Sequence, residues 1–237
     1  MLLYYGYYGF DPTYILVIVA AVISLFAQMK VQSNFNRYKG VQAKSGMTGA
    51  EVAERILHSQ GLYDVSIERV RGNLTDHYDP SAKVLRLSDS VYASSSVAAI
   101  GVAAHECGHA VQHDTDYAPI GIRSAIVPVA NIGSKLSWIL IIVGLIIGGS
   151  GSSVLLTAGI LCFTAVVAFH LVTLPVEYDA SGRALVMLRD MGILDSSEIG
   201  GAKKVLGAAA LTYVASAATA ILQLLRLIII AGGRNRD

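Results

Sequence analysis

From residue 12 to 29 the chain reads PTYILVIVAAVISLFAQM, without a single charged side chain. At 1.5 Å per residue, a helix over this run is just long enough to cross roughly 30 Å of hydrocarbon. Further apolar runs cover residues 136–149, 154–174 and 205–231. Together they predict a mainly α membrane protein with about four transmembrane helices. Composition agrees: hydrophobic residues make up 54% of the 237, charged residues only 15%, and the mean hydropathy is +0.55. That is too apolar for an ordinary soluble domain. A cleaved leader is the competing reading of the first run, but no basic segment precedes it. Tyr4, Tyr5, Tyr7, Tyr8 and Tyr14 suit an aromatic belt at the membrane surface instead.

The second and third runs, joined by a Gly/Ser turn at 148–153, read as a membrane hairpin. Its first arm is short unless it starts near Ile126, which would place Lys135 inside it. The last run is rich in the small residues that let membrane helices pack closely, and it carries Arg226. Five segments follow: 1–31, an N-terminal transmembrane helix; 32–125, an α+β portion with the metal-binding helix; 126–174, the hairpin; 175–204, a connector with a third-ligand helix; and 205–237, a C-terminal transmembrane helix and tail. Lys30, Arg37, Lys39 and Lys44 follow the first run, and Arg183, Arg189, Lys203 and Lys204 lie between the third and fourth. The positive-inside rule makes both segments cytoplasmic, in a multi-pass protein of the cell membrane. Four spans then leave both termini outside, which Arg234 and Arg236 weakly oppose. A net charge of +1, with scattered basic residues, argues against nucleic acid as a partner. Cys107 and Cys162 suggest no disulfide framework.

Within the polar portion, Thr48 and Glu51 fit a capping box, with Val52, Ala53, Ile56 and Leu57 on one helical face and Gly61 as a stop. Residues 65–70 and 83–88 read as short strands around turn-rich sequence. Ser94, Ser95 or Ser96 can then cap a helix reading VAAIGVAAHECGHAVQH. Apolar nearly all round, it should be buried, and ionisable groups on a buried helix need partners.

His105, Glu106 and His109 form H-E-x-x-H. Histidines four apart share a helical face and can converge on one tetrahedral Zn2+, while Glu106 is placed as general base. A chance match with two satisfied core histidines is the bland alternative. The longer pattern that adds a glycine and then a third histidine, ten residues after the first, fails here, because Thr115 and Gln112 stand where that histidine and glycine are required. His113 continues the same face, but its rise of roughly 12 Å from His105 prevents a straight helix from aiming all three rings at one ion. Pro175 suits the first turn of a new helix after the third span, which would carry Glu177, the first choice for third ligand, and Asp179, its rival as ligand or orienting partner. Spacing alone does not separate them. His77, Tyr78, Arg123 and Arg183 are candidates for transition-state stabilisation, although residues 76–79 read equally well as a hydrogen-bonded turn. The strand at 83–88 could offer an edge to an extended peptide.

LTDHYDP at 74–80, KVLRLS at 83–88, AAHECGHAVQH at 103–113 and PVEYDAS at 175–181 carry a resemblance to the YugP-like membrane zinc metallopeptidases over almost the whole chain. More distantly the sequence is similar to the CAAX-prenyl endopeptidases and the bacterial heat-shock membrane protease. The resemblance implies a zincin-like α+β metallopeptidase domain and a zinc-dependent endopeptidase acting on peptide or protein substrates, membrane proteins among them. It further implies His105 and His109 as ligands, Glu106 as base and Glu177 as third ligand. One position departs: the distant families place an aspartate where Ser181 stands, so the acid that orients a ligand histidine is missing there. Two rivals are a non-catalytic membrane protein with a structural zinc, acting as a binding or assembly partner, and a transporter. The apolar runs carry almost no ionisable residues apart from His170 and Arg226, which disfavours the transporter.

Overall fold

A computed structural model describes residues 11–147 and 149–234; Tyr4, Tyr5, Tyr7, Tyr8, Gly148 and Arg236 lie outside them. Among the described residues the order is α1 (Tyr14–Lys39), α2 (Gly49–Ser59), β1 (Ser66–Val70), β2 (His77–Asp79), β3 (Val84–Ser88), α3 (Val97–Asp114), α4 (Ala118–Ile147), α5 (Gly149–Asp190) and α6 (Ser196–Arg234). Four helices, α1, α4, α5 and α6, are long and apolar enough to cross a membrane. The chain divides into two compact units. One comprises the described parts of Met1–Phe26, Ile126–Leu171 and Ala215–Asp237; the other comprises Ala27–Ala125 and Val172–Val214.

The first unit is helical. Ile141, Leu156, Phe163, Val167, Ala220 and Leu227 form its small core, while Ile15, Val22, Leu25 and Ile146 point outward. α4 and α5 approach closely at glycines: a Cβ at Gly133 would lie 2.7 Å from the Cys162 carbonyl oxygen, and one at Gly159 2.7 Å from Ile141 Cγ1. Arg226 is neutralised rather than exposed. Its Nε donates to Thr13 Oγ1 at 3.1 Å, Nη2 stands 3.4 Å from Asp11 Oδ2, and the guanidinium lies 4.5 Å over the Tyr14 ring. The expected turn at 148–153 is helical from Gly149 onward, where Ser152 Oγ donates to the Gly144 carbonyl at 2.6 Å.

The second unit carries the sheet and α3. Thr48 and Glu51 form the capping box, the apolar face of α2 is fully buried, and Gly61 follows the helix at φ +79°, in the left-handed region that suits glycine. Ser96 caps α3, accepting from Ala99 N at 3.2 Å. Sheet order is β1-β3-β2, with β1 parallel to β3 from Ser66↔Val84 to Val70↔Ser88, and β2 antiparallel to β3 through Tyr78↔Leu85. β3 is therefore central, and the expectation that it offers a free edge is corrected. Its four buried residues, Val84, Leu85, Leu87 and Ser88, fit that interior place. The expected helix start at Pro175 is corrected too. Pro175 lies within the 42-residue α5 because the apolar run passes directly into polar sequence with nothing else to stop it. A proline interrupts one backbone bond, and the long helix tolerates that.

Candidate metal centre

α3 and α5 meet at backbone level, and one glycine permits it. A Cβ at Gly108 would lie 2.5 Å from the Ala180 carbonyl oxygen and 3.1 Å from Ala180 Cα. The glycine inside H-E-x-x-H thus lets α5 approach until Glu177, one turn before Ala180, faces His105 and His109. Glu177 Oε2 stands 3.3 Å from His105 Nε2 and 3.6 Å from His109 Nε2. The imidazoles are nearly perpendicular, at 80° with centroids 4.7 Å apart. One ligand atom from each of the three residues falls in a group whose members all lie within 4.8 Å of one another.

The donor set fits a cation. Glu177 is 1% exposed, yet neither of its carboxylate oxygens accepts a hydrogen bond. A buried anion left so is costly unless positive charge compensates it. Arg123 supplies part, with Nη1 3.7 Å from Oε1. Donors about 2.0–2.1 Å from a tetrahedral Zn2+ lie about 3.3 Å from one another. The separations of 3.3 and 3.6 Å match that spacing. Burial opposes charge on His109, but the Glu177 carboxylate and the charge of Glu106 outweigh it and hold its pKa above the ordinary histidine value.

Each histidine is also held through its far nitrogen. His105 Nδ1 is 3.1 Å from Ser181 Oγ, and His109 Nδ1 is 3.0 Å from Gln112 Oε1. Ser181, at the place where the distant families carry aspartate, reaches the first histidine. Gln112 is fully buried, and its Nε2 donates at 2.8 Å both to the Val176 carbonyl and to Asp179 Oδ2.

Glu106, 8% exposed, lines a cavity of about 140 Å³ together with His105, His109, Glu177, Arg123 and Tyr213. His77, Tyr78 and His113 line it as well. His113 is outside the three-residue ligand group; its ring is 5.7 Å from that of Tyr78, and burial, helped by His109 and Arg123, lowers its pKa. Asp179 is also outside the group and pairs with Arg183 Nε at 2.6 Å, while the Arg183 guanidinium lies 5.6 Å over Tyr117. His77 Nδ1 lies 2.9 Å from the Thr75 carbonyl. Asp76 and Asp79 do structural work: Asp76 accepts from Ser88 N and Oγ at 2.7 and 2.9 Å, and Asp79 accepts from Ser81 N, Ala82 N and Arg86. Gln112, Ser181 and Tyr213 were not singled out as site residues from sequence. Tyr213 did carry a signal, as a hydroxyl within a run of small apolar residues.

Three side chains on helices that could hold a metal ion, beside a buried carboxylate and in a chain with four membrane-length helices, point to the class of membrane zinc peptidases. The chain belongs to the family described as "Putative neutral zinc metallopeptidase", whose model matches residues 13–232. It is 49% identical over 223 residues, 94% of this chain and 98% of the relative, to "Putative membrane protease YugP" of Bacillus subtilis (strain 168). The resemblance read from the motifs and the family found by comparison are the same. No solved structure matches. The relative's name and the four long helices agree on a membrane location.

Proposed function

We propose that this chain is a zinc-dependent membrane endopeptidase. The observation that carries the reading is one cavity bringing together three ligand atoms and the buried carboxylate of Glu106. His105, His109 and Glu177 would hold the metal, which when bound supplies Lewis acidity to the substrate carbonyl and to the attacking water. Glu106 accepts the proton of that water and delivers it to the departing amide nitrogen, so no covalent enzyme intermediate is needed. Arg123 and Tyr213 line the same cavity and offer donors to the oxyanion that develops on the carbonyl. Tyr78 and His77 belong to β2, the sheet's short edge strand, along which an extended peptide could add. Peptide or protein substrates, membrane proteins included, fit that arrangement, and a regulatory membrane partner is compatible with it. The positive-inside pattern assigns the metal-bearing portion to the cytoplasmic side of a multi-pass protein.

A purely structural zinc would need a fourth protein ligand. Asp179 and His113, the further ligands weighed from the sequence, stand outside the ligand group, with Asp179 committed to Gln112 and Arg183. This favours a position left open for substrate. The test is Glu106→Gln in the purified, detergent-solubilised protein. Zinc content and thermal unfolding should match wild type while cleavage of a sensitive substrate disappears. Cleavage that persists, with contaminating protease excluded, overturns the assignment.

A further inference from the structure

We propose that Gln112 and Asp179 act as a two-residue relay that fixes the proton of His109 on Nδ1 and so presents its Nε2 lone pair to the metal. The proposal rests on the metal reading above and adds positioning residues to it. Its basis is the complete hydrogen-bond account of one amide. Gln112 is 0% exposed, so no solvent completes its bonding. An amide has two donors on nitrogen and an acceptor oxygen. Both donors are directed at acceptors, the Val176 carbonyl and Asp179 Oδ2, each at 2.8 Å. Turning the amide over would set its oxygen against a carbonyl and a carboxylate, so these two partners dictate its orientation. The oxygen then faces His109 Nδ1 at 3.0 Å and can only accept, which requires the hydrogen to be on Nδ1. In the neutral ring Nε2 is left with a free lone pair, and it is Nε2 that faces Glu177 at 3.6 Å.

Asp179 supplies the charge behind the amide. Its carboxylate is held by Arg183 Nε at 2.6 Å, a pair at i,i+4 on α5. Through the Gln112 amide its negative charge polarises the oxygen toward His109 and stabilises the positive charge that ligation draws into the ring. A carboxylate bonded directly to a ligand histidine does the same in one step; here the buried amide spans the gap between α3 and α5.

Two readouts test the relay: zinc affinity by chelator competition, and the ¹⁵N spectrum of histidine-labelled, metal-free protein at a pH where His109 is neutral. Wild type should show His109 as the Nδ1–H tautomer. Gln112→Met keeps the side chain's length without an amide, and should move the ring toward the Nε2–H tautomer and weaken zinc about 10–100-fold. Asp179→Leu, at a part-exposed site where folding is less at risk, should also weaken zinc. Asp179→Asn retains an acceptor for Gln112 and Arg183, and should lose less affinity and keep the tautomer. If Asp179 acts through Gln112, the Gln112→Met/Asp179→Leu double variant should bind zinc no worse than Gln112→Met. Additive losses would show Asp179 acting independently and overturn the relay, as would a wild-type Nε2–H tautomer or unchanged affinity in folded Gln112→Met. Wild-type protein unable to bind zinc would instead sink the metallopeptidase reading, while the tautomer measurement would still decide the relay.

Discussion

Replacing Gly108 by alanine separates metal binding from folding. The added Cβ would stand 2.5 Å from the Ala180 carbonyl oxygen, and contacts below 3.0 Å are essentially never seen, so α3 and α5 must move apart by about 0.5 Å. Nothing flexible can give way, because the neighbour is the α5 backbone. Gly108 precedes His109 directly and Ala180 follows Glu177 by three residues, so the displacement falls on the distances between ligand atoms. Metal–ligand bonds keep within about 0.2 Å of their ordinary lengths, so an ion between helices spread this far loses ideal distance to at least one ligand. Global stability should fall by at most about 2 kcal/mol, since alanine gains roughly 1 kcal/mol over glycine in a helix interior against about 1–3 kcal/mol lost to overpacking. The expected result is zinc affinity reduced at least about 10-fold, by analogy with changes to residues that merely orient ligands, with the thermal midpoint lowered by at most about 8 °C and the fold retained. Gly101→Ala is the control on the same helix. Its Cβ would meet Ala202 Cβ at 3.5 Å, an ordinary contact, so zinc affinity should be kept and stability should rise. Chelator competition and circular dichroism melts on both variants give the answer. Wild-type zinc affinity in Gly108→Ala would refute the argument that this contact sets the ligand geometry.

Tyr213→Phe removes a hydroxyl from the cavity but no ligand atom; kcat should fall by about 10²–10³ with zinc content unchanged, and an unaltered kcat would remove Tyr213 from the chemistry. Asp195 directly precedes α6 and caps it, accepting from Ser197 N and Glu198 N at 2.8 and 2.9 Å, and Lys44, with these bonds, holds its carboxyl below the ordinary 3.8. Because its pKa is depressed on folding, its contribution is fully present above that ordinary value and fades as pH falls through the folded one. The stability gap between wild type and Asp195→Asn should therefore be constant near neutrality and shrink in acid; melts across a pH series that showed the gap widening below pH ~4 would contradict the sign.

What was legible in the sequence was what local periodicity and local bonding determine. The capping box of Thr48 and Glu51 closes within one turn, and the uncharged runs announce membrane-length helices without reference to the rest of the chain. What was not legible depends on partners distant in sequence. β2 is three residues long and becomes a strand only through pairing with β3, so it reads as a turn and leaves β3 looking like an edge. Pro175 matches a helix start as a single residue, but its place in α5 is decided by the continuous helix on both sides.

The metal centre shows the same division at finer scale. His105 and His109 declare themselves by spacing alone, whereas Glu177 needs the contact between Gly108 and Ala180, and that contact is invisible until α3 and α5 are packed. Reading Ser181 as a missing aspartate assumed that the orienting group must be one residue type at one position. The physical requirement is only for a partner on each Nδ1. Ser181 meets it for His105 with a hydroxyl at 3.1 Å, and Gln112 meets it for His109 with an amide oxygen at 3.0 Å, backed by the carboxylate of Asp179. A residue-by-residue match to a motif counts such a site as incomplete, whereas counting the hydrogen bonds of each imidazole counts both rings as held.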